Sequence, residues 1–315
     1  MDIDQIIEEN IRRTRYGEIL LELPYFDMTK QIELNDGKME QLLTIVITTS
    51  PIPTHPNTNI IESTIDSLMN IKEIKNCKII ITFDGCNDER FNVRYEQYKI
   101  NINELIKNKY EFRNVICVYA DEYVHQTNTI RNSMKYINTP FMFVIEHDWL
   151  IFGDIKFREI ISVMNMYKKI IKCVRLNYLS GYMYSNKLYP PFVVPEPIDF
   201  NGVKLIYTDK WSCHPHISHK DSYEFYFHFI SDKARCYMEE ILYGMEYTRI
   251  QINHLNFYEF GTWIYGEPSD NMLHIRHIDG RNSESMKKVD SIFIYKNNVP
   301  DGAPFPAGSM IEYLE

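Results

Sequence analysis

Four short apolar runs, each ending in oxygen-bearing side chains, constrain this chain more than any other feature. LLTIVITTS ends in Thr48, Thr49 and Ser50, KIIITFDG in Asp84, NVICVYADE in Asp121 and Glu122, and FMFVIEHDWLI in Glu146, His147 and Asp148. Runs of this length without polar alternation suit strands covered on both faces. Between them lie segments with helical features: Thr58 to Asn70, Glu89 to Tyr110, and Thr127 to Ile137, the last with Ile130, Met134 and Ile137 on one face. Strands and helices alternating at intervals of a few tens of residues predict βαβ units and a parallel sheet. The polar ends would then share one edge, the side on which open α/β sheets hold ligands.

Beyond a helix expected around Asp154 to Lys169, the pattern changes. KCVRLNYLSGYMY, NGVKLIYTDKW and SCHPHISHK read as short aromatic strands, with the proline-rich YPPFVVPEP as a loop between the first two. A helix is expected from about Ser231 to Thr248, followed by FYEFGTWIYG, MLHIRHIDGR and a polar tail. The chain therefore divides into a helical or extended segment over 1–40, a nucleotide-binding-type half over 41–153, a second half over 154–282 and a tail over 283–315.

Composition narrows the function classes. A chain of 315 residues can bury a sizeable core, and 44% hydrophobic with 24% charged residues is globular composition. A net charge of -9 argues against nucleic acid as a partner, because that affinity rests on a basic surface. The six cysteines (Cys77, Cys86, Cys117, Cys173, Cys213 and Cys236) form no C-x-x-C pair and read as reduced thiols. No apolar run approaches the length that crosses a bilayer, and MDIDQIIEENIRRTRYGE lacks the apolar core of a signal peptide, so a cytoplasmic location is expected.

Glu146 and Asp148 are one residue apart at a strand end, a place to hold Mn²⁺ or Mg²⁺, which favour carboxylate, phosphate and water oxygens. The plain alternative is that they open a loop and cap the next helix. A nucleoside diphosphate could lie across the four strand ends, with TTSPIP around the base and Asp84 accepting from base or ribose; F-D-G is also ordinary turn chemistry. Arg131 would reach a diphosphate or be a solvated surface charge. His214, His216 and His219, with His274 and His277, raise a zinc reading, but no H-E-x-x-H or cysteine-rich spacing supports it. Trp149, Trp211 and Trp263 suit stacking on sugar faces or packing in a core; Trp211 is the better acceptor-site candidate and Trp263 the better core one.

The order T-T-S-P, F-D-G, an arginine helix ending in N-T-P-F, and then E-H-D-W resembles nucleotide-sugar glycosyltransferases of the GT-A fold, such as those of large DNA viruses and bacteria. Glu146 to Asp148 matches the D-x-D motif of that fold with Glu in first place, W-S-C-H-P-H resembles an acceptor-side segment, and F-G-T-W-I-Y-G with H-I-D-G-R resembles closing motifs, over roughly 42 to 282. The resemblance implies an α/β, Rossmann-type, mostly parallel sheet flanked by helices, with a smaller antiparallel acceptor-side region. It implies transfer of a sugar from a nucleoside-diphosphate sugar, UDP-linked in this reading, to a hydroxyl of a glycan or glycoprotein. Thr48, Thr49, Ser50, Asp84, Arg131, Glu146 and His147 would hold the donor, and Trp211, His214 and His216 the acceptor. Asp148 would be the direct metal ligand, with Glu146 acting through water or the ribose, and His277 a further metal or diphosphate contact. An inverting member needs a carboxylate base near a helix start, which Glu239 and Glu240 match best, with Asp209, Glu246 and Glu259 as alternatives and helix-surface charge as the plain reading of each.

Two other functions remain compatible with the sequence. A sugar-1-phosphate nucleotidyltransferase also begins with a strand and a nucleotide loop, but asks for a glycine-rich phosphate cradle that TTSPIPTHP lacks. A non-catalytic carbohydrate- or nucleotide-binding protein would account for Glu146 in place of Asp.

Overall fold

A computed structural model describes residues 37–111, 113–177, 197–208, 211–252, 257–266 and 274–278. Asp209, the 1–36 segment, the YPPFVVPEP loop up to Glu196, the end of H-I-D-G-R and the tail lie outside these residues. A helical turn α1 (Met39–Leu42) leads into β1 (Leu43–Thr49), and the first half continues as α2 (Asn59–Met69), β2 (Lys78–Phe83), α3 (Glu89–Lys109), β3 (Val115–Tyr119), α4 (His125–Ser133) and β4 (Phe141–Glu146). The four apolar runs are thus the first four strands. After β5 (Trp149–Ile151), the second half adds α5 (Phe157–Met166), β6 (Cys173–Leu176), β7 (Ile198–Phe200), β8 (Val203–Tyr207), β9 (His216–His219), α6 (Lys220–Phe227), α7 (Met238–Ile252), α8 (Phe257–Phe260), β10 (Thr262–Tyr265) and β11 (Ile275–His277).

Nine strands form one sheet in the order β3-β2-β1-β4-β9-β6-β10-β8-β7. The first four are mutually parallel; β9 runs against β4 and β6, and β8 runs against β10 and β7, so the remaining strands all point one way. Because β9 is inserted between β4 and β6, the two halves read from the sequence share this sheet.

Both faces of the sheet are covered, which is why the strand runs are apolar without alternation. Ile45, Ile47, Ile79, Ile81, Phe143 and Ile145 pack on one face against α2, α3 and α5. Val46, Ile80, Met142 and Val144 pack on the other against Ile130 of α4, Met134 in the turn just after it, Tyr223 and Tyr226 of α6, and Met238 and Leu242 of α7. Each fully buried isoleucine or valine contributes about 1.5–3 kcal/mol.

This topology places the site. The chain leaves β1 for β2 and β3 on one side, then returns to place β4 on the other side of β1. The ends of β1 and β4 therefore flank a topological switch point, the crevice where such sheets bind ligands. The aligned row Thr82–Thr48–Glu146 puts Glu146 on the face covered by α4 and α7.

Candidate active site

Two cavities meet at the end of β4. The first, of about 440 Å³, is lined by Thr48, Thr49, Ser50 and the following Pro-Ile-Pro, by Asp84, Asn87, Asp88 and Phe91, by Tyr123 to Gln126 in part, and by Glu146, His147 and Asp148. The second, of about 550 Å³, is lined by Glu146, Trp149, Cys213, His214, Tyr237, Glu239, Glu240 and Tyr243. Glu146 and Tyr237 border both.

The first cavity is built from strand ends and held by backbone contacts. Its loop after β1 is fixed by His55, which stacks on Tyr98 with 3.7 Å between ring centroids and accepts the Ile52 N–H at Nδ1. Asp84 is buried, and its carboxylate accepts the N–H groups of Gly85 (2.8 Å), Val124 (2.8 Å) and His125 (3.0 Å), tying the end of β2 to the loop after β3. Burial pushes its carboxyl up while these amides pull it down. The glycine of F-D-G is required by that crossing: a Cβ on Gly85 would lie 2.2 Å from the Glu122 carbonyl carbon. Asp84 thus borders the cavity while its carboxylate holds the loop after β3.

At the junction, Glu146, Asp148 and His277 each offer a ligand atom within 4.8 Å of the others. Pairing of β11 with β5 sets His277 opposite Trp149, beside Asp148, and Ile278 donates its N–H to the Asp148 carbonyl at 2.8 Å. His277 Nε2 lies 3.1 Å from Asp148 Oδ2, while Asp148 Oδ1 is buried with no hydrogen-bond partner among the described residues. A buried, unpartnered carboxylate oxygen is costly unless a cation faces it. Burial drives the Glu146 carboxyl upward and the charge on Asp148 adds to this; burial also opposes ionisation of Asp148, but His147 and His277 outweigh it and hold Asp148 ionised. Two carboxylates and an imidazole fit a divalent cation with open positions. Neither cavity is lined by a lysine or arginine among the described residues.

The second cavity owes its position to β9. Antiparallel pairing sets His216 beside Val144, so the segment Ser212–Pro215 just before β9 runs past the end of β4. Glu239, at the start of α7, accepts at Oε2 from Ser212 Oγ (3.0 Å) and the Cys213 N–H (2.9 Å). His214 stacks obliquely on Trp149 at 5.2 Å.

Several sequence candidates are placed elsewhere. Arg131 is turned away from the crevice: it donates to Ile230 O at 2.6 Å and to Asn128 Oδ1, and lies over the Phe227 ring at 4.8 Å. Its guanidinium is held by carbonyls that follow α6, where a cation is favoured by the helix end. Trp211 is fully buried between His216 and Tyr226 in the core and offers no stacking face to an acceptor. His216 is also core: Nδ1 lies 2.6 Å from His214 O and Nε2 2.6 Å from Tyr223 OH. His219 meets Met164 O at 3.1 Å, so the histidines around β9 do not converge as a zinc site would require. Among the other carboxylates, Glu259 pairs with Arg249 at 2.7 Å, and Glu246 is fully buried. Trp263 is core as expected. Sequence reasoning passed over Tyr123, His125, Gln126, Tyr237 and Cys213; the last was quoted within W-S-C-H-P-H, and Gln126 sits where α4 begins, right after the third polar strand end.

Fold and site together define an α/β protein with a ligand crevice at its switch point and an acid–imidazole cluster between two cavities. No family model matches the chain, and no curated protein matches its sequence. Solved structures resemble it at low identity. TarS from S. aureus is 9% identical with a TM-score of 0.46, over 82% of this chain and 41% of that one. GalNAc-T7, solved with UDP, GalNAc and Mn²⁺, is 9% identical with a TM-score of 0.47, over 75% of this chain and 43% of that one. The 4-diphosphocytidyl-2C-methyl-D-erythritol synthase from Anaerococcus prevotii is 12% identical with a TM-score of 0.44, over 82% of this chain and 99% of that one. The chain spans about two fifths of TarS and of GalNAc-T7. At such distances the side chains, not the neighbours, carry the functional reading.

Proposed function

We propose that this protein is a divalent-cation-dependent glycosyltransferase that moves a sugar from a nucleoside-diphosphate sugar, UDP-linked, to a hydroxyl of a glycan or glycoprotein. The observation that carries it is the junction: Glu146, Asp148 and His277 lie between a cavity built on strand ends and a second cavity with its own carboxylates. Transfer between two substrates needs two spaces meeting at one charged point, and this chain has them.

In this reading Thr48, Thr49 and Ser50 border the base and ribose, and the diphosphate meets the cluster. Asp148 and His277 are direct ligands, with Glu146 completing the set. When bound, the cation neutralises charge that builds up on the departing diphosphate. That role is decisive here because no lysine or arginine among the described residues lines the cavity. The imidazole in the set favours Mn²⁺ over Mg²⁺.

Glu239 is the proposed base. Its Oε2 is anchored by Ser212 and Cys213, which orients the carboxylate in the second cavity, whereas Glu240 is exposed beside it. It would take the proton from the acceptor hydroxyl as that oxygen bonds to the anomeric carbon. Of Trp211, His214 and His216, expected on the acceptor side, His214 borders the second cavity and would act there with Trp149.

The test is product analysis with Mn²⁺ and a panel of UDP-sugars. Free UDP released with an acceptor present supports transfer. Formation of UTP from a UDP-sugar and pyrophosphate, without UDP release, would identify a nucleotidyltransferase instead. UDP-sugar binding with neither product would leave a binding protein.

A further inference from the structure

We propose that Gln126 and Cys213 are positioning residues: they hold the Glu146 carboxylate in the cation cluster and link it through one wall to Glu239. This rests on reading the cluster as a cation site. The wall is a continuous chain of hydrogen bonds. Gln126 Nε2 donates to Glu146 Oε1, Cys213 Sγ lies 3.1 Å from Gln126 Oε1, and the Cys213 N–H donates to Glu239 Oε2 at 2.9 Å. Gln126 lines the first cavity and Cys213 the second, so the partition between them is this chain of bonds.

The direction of each bond follows from the groups. With a cation bound, Glu146 is an ionised carboxylate that only accepts, so the amide NH₂ of Gln126 must face it. Its carbonyl then faces Cys213, and a carbonyl only accepts, so the thiol is the donor. Turning the amide over would set its oxygen against the carboxylate, and the thiol hydrogen is what opposes that turn. The backbone beneath is also fixed. Next to Gln126, Thr127 Oγ1 donates to Cys236 O at 2.6 Å and Asn128 Nδ2 to Ala234 O at 2.8 Å, clamping the start of α4 to the segment leading into α7. Gln126 and Glu239 therefore approach Glu146 from two helices locked to each other.

Groups that orient metal ligands in this way typically change affinity by about 10–100-fold when removed. The experiment is calorimetric titration of the purified protein with Mn²⁺ alone, so no activity is needed. Cys213→Val removes the donor and adds one methyl group, Cys213→Ser restores a donor at smaller volume, and Gln126→Met removes the amide. Mn²⁺ affinity about 10-fold weaker in Cys213→Val and Gln126→Met, with Cys213→Ser within about 2-fold of wild type, is the expected result. Unchanged affinity in Cys213→Val, or equal losses in the valine and serine variants, would overturn the proposal. If Gln126→Met fails to fold, the cysteine pair still decides. An Asp148→Ala variant that binds Mn²⁺ like wild type would instead sink the cation site itself, separating the two failures.

Discussion

The parallel half of the sheet and its antiparallel half meet the same cavities by different logic. In the parallel half, β1, β2, β3 and β4 all end on one edge, so a residue at a strand end is by topology a residue at the ligand edge. Thr48, Thr49, Ser50, Asp84, Glu146 and Asp148 all line the first cavity for that reason. In the antiparallel half the start of β9, not its end, reaches that edge, and what matters is how far from the edge each side chain lies. His216, in register with Val144, falls on the core face, while His214 two residues earlier borders the second cavity. A parallel edge gives position for little sequence information; an antiparallel one requires the register.

The sharpest break in the comparison is expected at Glu239. Glu239→Gln should lower transfer to acceptor by about 10²–10⁴-fold, while Mn²⁺-dependent UDP binding, a property of the parallel side, stays within about 2-fold. Steady-state transfer assays beside UDP titrations check this; parallel losses in both would remove the division of labour.

Two substitutions on the face beneath the second cavity should act on stability alone. Arg131→Ala leaves the carbonyls after α6 without their donor and should cost about 1–3 kcal/mol in urea unfolding, with UDP affinity unchanged. An affinity loss there would return Arg131 to the donor site. Tyr223→Phe strips His216 Nε2 of its partner and should cost about 1 kcal/mol by the same measurement.

Acidic destabilisation is the most diffuse effect, spread over several buried histidines. Burial lowers His55 to about 2, and His216 and His219 to about 4 each. Their folded values lie below the unfolded value of about 6.5, so the unfolded state binds more protons in that range. Stability is complete above about pH 6.5 and declines as pH falls, by at most about 1.4 kcal/mol per pH unit for each histidine. Urea midpoints from pH 7 to 5 report the sum. His219→Gln should flatten the slope; a slope that steepens would reverse the assigned sign.

The same contrast explains how much was legible beforehand. The four strands were readable because two covered faces leave apolar runs, and Asp148 because a polar end on such a run has one place to go. Helix α6, Lys220–Phe227, went unread because KDSYEFYF carries aromatics without a clean helical stripe, though Tyr223 and Tyr226 pack one face of the core. Without α6 there was no carbonyl cluster to claim Arg131, and no Tyr223 to claim His216. His277 was joined to Asp148 only through the resemblance to a closing motif, since their contact depends on the β5–β11 pairing. Gln126 and Cys213 carry no local signature, because their meaning lies in a chain of bonds across three elements.

The central claim, that the end of β4 is a cation-dependent nucleotide site, is tested most directly by UDP calorimetry with Mn²⁺ and with chelator, on wild type and Asp148→Ala. The account predicts binding by wild type with Mn²⁺ only, and a loss of about 100-fold or more in the variant, because the cavity wall supplies carboxylates and no described lysine or arginine. Equal UDP affinity with and without Mn²⁺, retained in Asp148→Ala, would contradict it.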